Sequence, residues 1–100
     1  MTTDIHIDTN TATATVSGRL DTASASLFEQ QMKPLIDNAD KVITLDCTNL
    51  EFISSSGLRL LLTLRKATMA QGGRVVIRNA SENIQQVFSI TGFTSLFDFE

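Results

Sequence analysis

Between Val42 and Gly73 the chain changes hydrophobic pattern twice, and that change limits the folds open to it. Val42-Ile43-Thr44-Leu45 is a short apolar run rich in β-branched residues, the pattern of a strand covered on both faces. Leu58, Leu61 and Leu62, with Leu60 and Leu64, then recur at the spacing of a strongly buried helix. Arg59, Thr63, Lys66 and Ala70 fall on its opposite side, and Gly72-Gly73 stops it. Val75-Val76-Ile77 is a second apolar run. A strand, a helix and a strand in that order imply a crossover with the two strands parallel.

The remaining segments fit around this unit. Ile5 and Ile7 alternate with polar residues, as do Ala12, Ala14 and Val16 with Thr13, Thr15 and Ser17, so each reads as a strand. Asp8-Thr9-Asn10 is turn material, which predicts a hairpin. Gly18 closes the second strand. Asp21 or Thr22 then suits a helix N-cap, since either side chain accepts from the free amides of a first turn. Phe28, Met32, Leu35 and Ile36 follow at helical spacing, with a kink or weak last turn expected at Pro34. Ser81 can cap a third helix carrying Ile84, Val87 and Phe88, with Gly92 beyond it. Phe93, Leu96, Phe97 and Phe99 suggest a short terminal strand. The predicted order is β-β-α-β-α-β-α-β: one α/β domain over residues 1–100 with a mixed β-sheet.

Composition narrows the function. The chain is 42% hydrophobic and 19% charged, ordinary for a globular domain of 100 residues. Its net charge of -3 gives no basic patch for nucleic acid. Cys47 is the single cysteine, so no internal disulfide can form. No stretch approaches the roughly 20 apolar residues of a membrane span, and Met1-Thr2-Thr3-Asp4 is unlike a signal peptide. A cytoplasmic protein is expected. With one histidine, His6, and one cysteine, no zinc site can be assembled from those ligand types. The G-x-S-x-G elbow of a serine hydrolase is absent, because Ile53 stands where its first glycine would. There is no phosphate-binding glycine motif. No catalytic residue, metal or cofactor is expected, and no enzymatic activity.

The run Ser54-Ser55-Ser56-Gly57 lies between a predicted buried strand and a predicted buried helix. A serine there serves as an N-cap. It can equally serve as a phosphate acceptor, because an added phosphate would meet unpaired amides and the positive end of the helix. Capping needs one serine and the chain offers three. The residues alone leave both roles open.

Leu50-Glu51-Phe52-Ile53-Ser54-Ser55-Ser56-Gly57-Leu58-Arg59, following Asp46 at the end of a strand, resembles the signature of STAS domains. So does Gly18-Arg19-Leu20-Asp21 before the first helix, and the match runs in order along nearly the whole chain. Antagonist members of that family commonly carry D-S-S/T-G-L, with phosphate accepted on the first serine after the acid. The resemblance implies that Ser55 is the acceptor, with Ser54 and Ser56 as competitors. Ser54 stands where the family has an acid, which removes one negative charge beside the acceptor. Asp21 matches an acid that members use to contact the kinase, and its helix-capping role is equally sound physically. The implied activity is partner switching. The unmodified protein binds an anti-sigma factor, itself a serine kinase, through Asp21, Ser54, Ser55, Ser56, Gly57 and Arg59, and so releases a sigma factor. The kinase phosphorylates Ser55, and a PP2C-type phosphatase reverses this. The alternative implied by the same family is a non-switching adaptor subunit of a lipid-transporting ABC complex. Cys47 reads as a core thiol, Arg59, Arg65 and Lys66 as a helix face bordering the partner surface, and His6 as an exposed strand residue.

Overall fold

The computed structural model describes residues 2–100; Met1, which opens the polar N-terminal segment, lies outside them. The chain forms β1 (Thr2–Ile7), β2 (Thr11–Leu20), α1 (Thr22–Gln31), α2 (Lys33–Ile36), β3 (Val42–Asp46), β4 (Leu50–Ile53), α3 (Ser55–Gln71), β5 (Arg74–Arg78), α4 (Glu82–Ile90), a 3-10 turn at Thr94–Leu96 and β6 (Asp98–Phe99). The α/β class and the mixed sheet stand as expected. A short second helix and a sixth strand are added to the expected order.

β1 and β2 pair antiparallel, and every other pairing is parallel. The strands lie in the order β1-β2-β3-β5-β6. β2 is long enough to serve two partners, β3 along Thr11–Thr15 and β4 along Gly18–Leu20. Register aligns Ile5, Ala14, Leu45, Ile77 and Phe99 in one row across five strands. This row packs with the buried helix residues Phe28, Leu58, Leu61, Leu64, Ile84 and Phe88 into a single core. Phe88 meets Phe97 and Phe99 edge-on, at centroid separations of 5.6 and 5.2 Å. Among the described residues no helix is long and apolar enough to cross a membrane.

Four local readings change. Gly18 does not end the second strand: it takes a positive φ of 93°, and the chain continues to Leu20. Register slips beside it, so that Gly18 faces Leu50 and Arg19 faces Phe52. Val42–Leu45 is covered on one face rather than two, with Ile43 and Leu45 buried and Val42 and Thr44 half-buried. Leu60 and Leu62 of α3 are half-buried, so the core stripe is Leu58, Leu61, Leu64 and Thr68. Pro34 divides the first helical segment in two. It sits in the first turn of α2, where a missing N–H costs nothing, and Met32 and Leu35 stay buried on either side of it.

Cys47 is only 2% exposed. Burial, with the Asp46 charge adding to it, pushes its thiol from 9.0 up to about 12. The thiolate is the reactive form, so Cys47 is expected to resist thiol reagents until the protein unfolds. The folded state holds its thiol proton to higher pH than the unfolded chain does. Stability from this site is therefore complete below pH 9.0 and is lost as pH rises toward about 12. Urea titrations should show a steeper loss of stability above pH 9 in the parent than in Cys47→Ala; equal slopes would refute the assignment.

Candidate functional site

The site grows from the parallel pairing of β2 with β4. Leu20 and Ile53 are register partners and both are buried. The Ser54 N–H donates to the Leu20 carbonyl at 2.8 Å, which carries the pairing one residue past β4. Asp21 and Ser54 thus leave adjacent strands together, and each opens a helix. Neighbouring strands lie about 4.8 Å apart, so the two helix starts share one edge of the domain.

Gly57 sets how close α3 comes to that edge. A Cβ at Gly57 would stand 2.7 Å from Leu20 Cγ and 3.0 Å from Ile53 Cγ1. Both neighbours are packed in the core and have nowhere to go. The glycine lets the first turn of α3 lie directly on the ends of β2 and β4.

The three serines separate into different roles. Ser54 is the N-cap: its backbone is extended (φ -91°, ψ 173°) and its Oγ accepts the Gly57 N–H at 3.2 Å. An aspartate does the same work at an N-cap, so Ser54 keeps the structural function of the acid it replaces and drops its charge. Ser55 is the first helical residue and is exposed. Its hydroxyl makes no side-chain hydrogen bond among those of the described residues. Ser56 is half-buried and turns toward a groove of about 460 Å³ between α1 and α3. Ala25, Ser26 and Glu29 line that groove from α1, and Arg59 and Lys66 from α3.

Asp21 caps α1 through a reciprocal box. Its carboxylate accepts the Ser24 N–H at 3.0 Å, while Ser24 Oγ accepts the Asp21 N–H at 3.0 Å. The Ser24 backbone bond, then the Ser24 hydroxyl and the nearby Arg19 charge, hold the Asp21 carboxyl below its ordinary value of 3.8. The cap is complete above that value and weakens as pH falls through it. At the end of β3, Asp46 is lowered in the same sense, first by the Thr48 hydroxyl at 2.6 Å and then by the Thr48 N–H at 3.1 Å. These bonds shape the turn that leads into β4.

Two features of this surface escape the sequence reading. Arg19 lies over the Phe52 ring, 4.4 Å from its centroid, and Phe52 remains 37% exposed. The only sequence signal for the pair is that Arg19 lies within one motif and Phe52 within the other. The α1–α3 groove has no linear signal at all. Arg59, Thr63, Lys66 and Ala70 are exposed as expected, and His6 is exposed with Nε2 3.4 Å from Asp8 Oδ1. Arg65 is drawn inward instead: its Nε donates to the Leu96 carbonyl at 2.6 Å, away from the serine loop.

The sequence profile of the STAS domain matches residues 2–100. The chain belongs to the STAS domain family. BtrV of Bordetella bronchiseptica, provisionally named an anti-sigma factor antagonist, is 31% identical over 84 residues, 84% of this chain and 72% of that protein. The anti-sigma-B factor antagonist of Bacillus subtilis is 28% identical over 96 residues, 95% of this chain and 86% of that one. Among solved structures, the STAS fold seen here resembles the anti-sigma factor antagonist SpoIIAA in its unphosphorylated form, with a TM-score of 0.81 at 21% identity over 99% of this chain and 88% of that one. The phosphorylated form of Bacillus SpoIIAA gives a TM-score of 0.73 at 22% identity, over 99% and 91% of the two chains.

The serine roles can be separated by stability. Ser54→Ala removes the cap and should cost about 0.5–2 kcal/mol, whereas Ser54→Asp should retain most of it. Ser55→Ala should change stability by less than about 0.5 kcal/mol. Gly57→Ala gains helix propensity but should still lose about 1–3 kcal/mol to overpacking against Leu20 and Ile53. Urea denaturation reads all four; a Ser55→Ala loss as large as that of Ser54→Ala would show that Ser55 carries the cap.

Proposed function

We propose that this STAS domain is an anti-sigma factor antagonist switched by phosphorylation of Ser55. In its unmodified form it binds an anti-sigma factor serine kinase in the cytoplasm, so that a sigma factor is released. The bound surface is Asp21, the Ser54–Gly57 turn and Arg59. A PP2C-type phosphatase reverses the modification. The names of the relatives support the antagonist reading, and SpoIIAA is known in both unphosphorylated and phosphorylated forms.

The observation that carries the proposal is the division of labour in the serine run. Ser54 is committed to Gly57 N–H and Ser56 turns toward the groove, while Ser55 stands exposed on the edge it shares with Asp21. A kinase can reach that hydroxyl without dismantling the helix. Phosphate would add roughly -1.5 to -2 charge at the centre of the partner surface, on a domain whose net charge is -3. Bulk and charge there oppose rebinding. Ser54 performs the capping task of the acid it replaces, so the departure at position 54 does not favour the ABC adaptor over the switch.

The test incubates the purified domain with its cognate kinase and ATP and maps phosphate by mass spectrometry. Phosphate is expected on Ser55, and Ser55→Ala should be refractory to the kinase while binding it as the parent does. Ser55→Asp should weaken binding only in part, because it carries one charge and fewer acceptor oxygens. Asp21→Asn should weaken partner binding with little change in stability, since asparagine caps as well as aspartate does. Absence of phosphorylation together with tight binding to an ABC ATPase would overturn the switch in favour of the adaptor.

A further inference from the structure

We propose that phosphate on Ser55 is held in cis by Arg59, so that modification takes this guanidinium away from the partner surface as well as adding charge to it. The inference rests on Ser55 being the acceptor. Ser55 is the first residue of α3, and Arg59 lies four residues on. At that spacing two side chains stand one above the other on the same helix face. Both residues are exposed. The acid would be the N-terminal member of the pair, which is the favourable order for charges one turn apart. The planar guanidinium fork matches two phosphate oxygens at once.

Arg59 is also uncommitted. Among the described residues its side chain enters neither of the two ion pairs and none of the side-chain hydrogen bonds; only its carbonyl is used, accepting from Thr63 Oγ1 at 3.1 Å. The other charged groups at this edge are differently placed. Arg19 is stacked on Phe52 and Asp21 is tied into its capping box. Glu29 faces Arg59 and Lys66 across the groove from α1. Lys66 lies seven residues beyond Arg59, two helical turns farther from Ser55. Arg59 is thus the cation that a phosphate on Ser55 meets first. In the unmodified protein the same guanidinium remains open to a partner.

The pairing can be read without any kinase. Phosphoserine is installed at position 55 of the full chain by genetic code expansion, and its second ionisation is followed by phosphorus NMR across pH. A neighbouring cation favours the dianion, so Arg59 lowers this pKa and its removal raises it. Arg59→Gln is expected to raise the value by about 0.2–0.4 pH units relative to the parent phosphoprotein, the size of a one-turn charge pair. Lys66→Gln should leave it within about 0.1 unit, as expected for an exposed charge two turns more distant. An unchanged value in Arg59→Gln, or an equal rise in Lys66→Gln, overturns the proposal. Because the phosphate is placed genetically, failure of a kinase to modify Ser55 would sink the switch while leaving this result to stand on its own.

Discussion

The close approach of α3 to the ends of β2 and β4 is the contact on which the rest of the surface depends. It exists because position 57 has no side chain: a Cβ there would press on Leu20 and Ile53, both locked in the core. The Ser54 N–H to Leu20 carbonyl bond closes the same junction through the backbone. With strands and helix fixed this tightly, Asp21 and the serine run are held side by side by the sheet itself. A surface organised by the sheet in this way would limit the ordering cost of any association it makes.

Within that frame, the capping bonds and the exposed Ser55 hydroxyl belong to different side chains. Ser54 Oγ and the Asp21 carboxylate satisfy helix amides, while Ser55 has no such duty. A modification at Ser55 can therefore alter charge at the surface with the capping bonds intact. Both SpoIIAA forms share the fold of this chain over nearly its full length.

Much of this architecture is legible in the residues, for reasons that are local. Ala12, Ala14 and Val16 alternate against threonines, and all three are buried. Asp21 and Ser81 announce their helices because short polar side chains reach the free amides. What stayed hidden depends on distant pairing. β4 has four residues, buried only at Leu50 and Ile53, so it carries neither an alternating nor a helical signal. It becomes a strand because β2 continues past Gly18, where the glycine reads as a stop. Nor could three consecutive serines reveal which of them caps; the extended backbone at Ser54 decides that. The α1–α3 groove exists only because α1 lies against α3, a pairing of segments far apart in sequence.

The most direct test of the shared edge is an amide hydrogen-exchange footprint of the unmodified domain, free and bound to its anti-sigma factor. New protection is expected at Asp21 and across Ser54–Arg59, with no change along Thr13, Thr15 and Thr44 on the face of the sheet turned away from the core. Protection centred on those threonines, or on α4 near the exposed Ile90, with Asp21 and Ser55 unaffected, would contradict it.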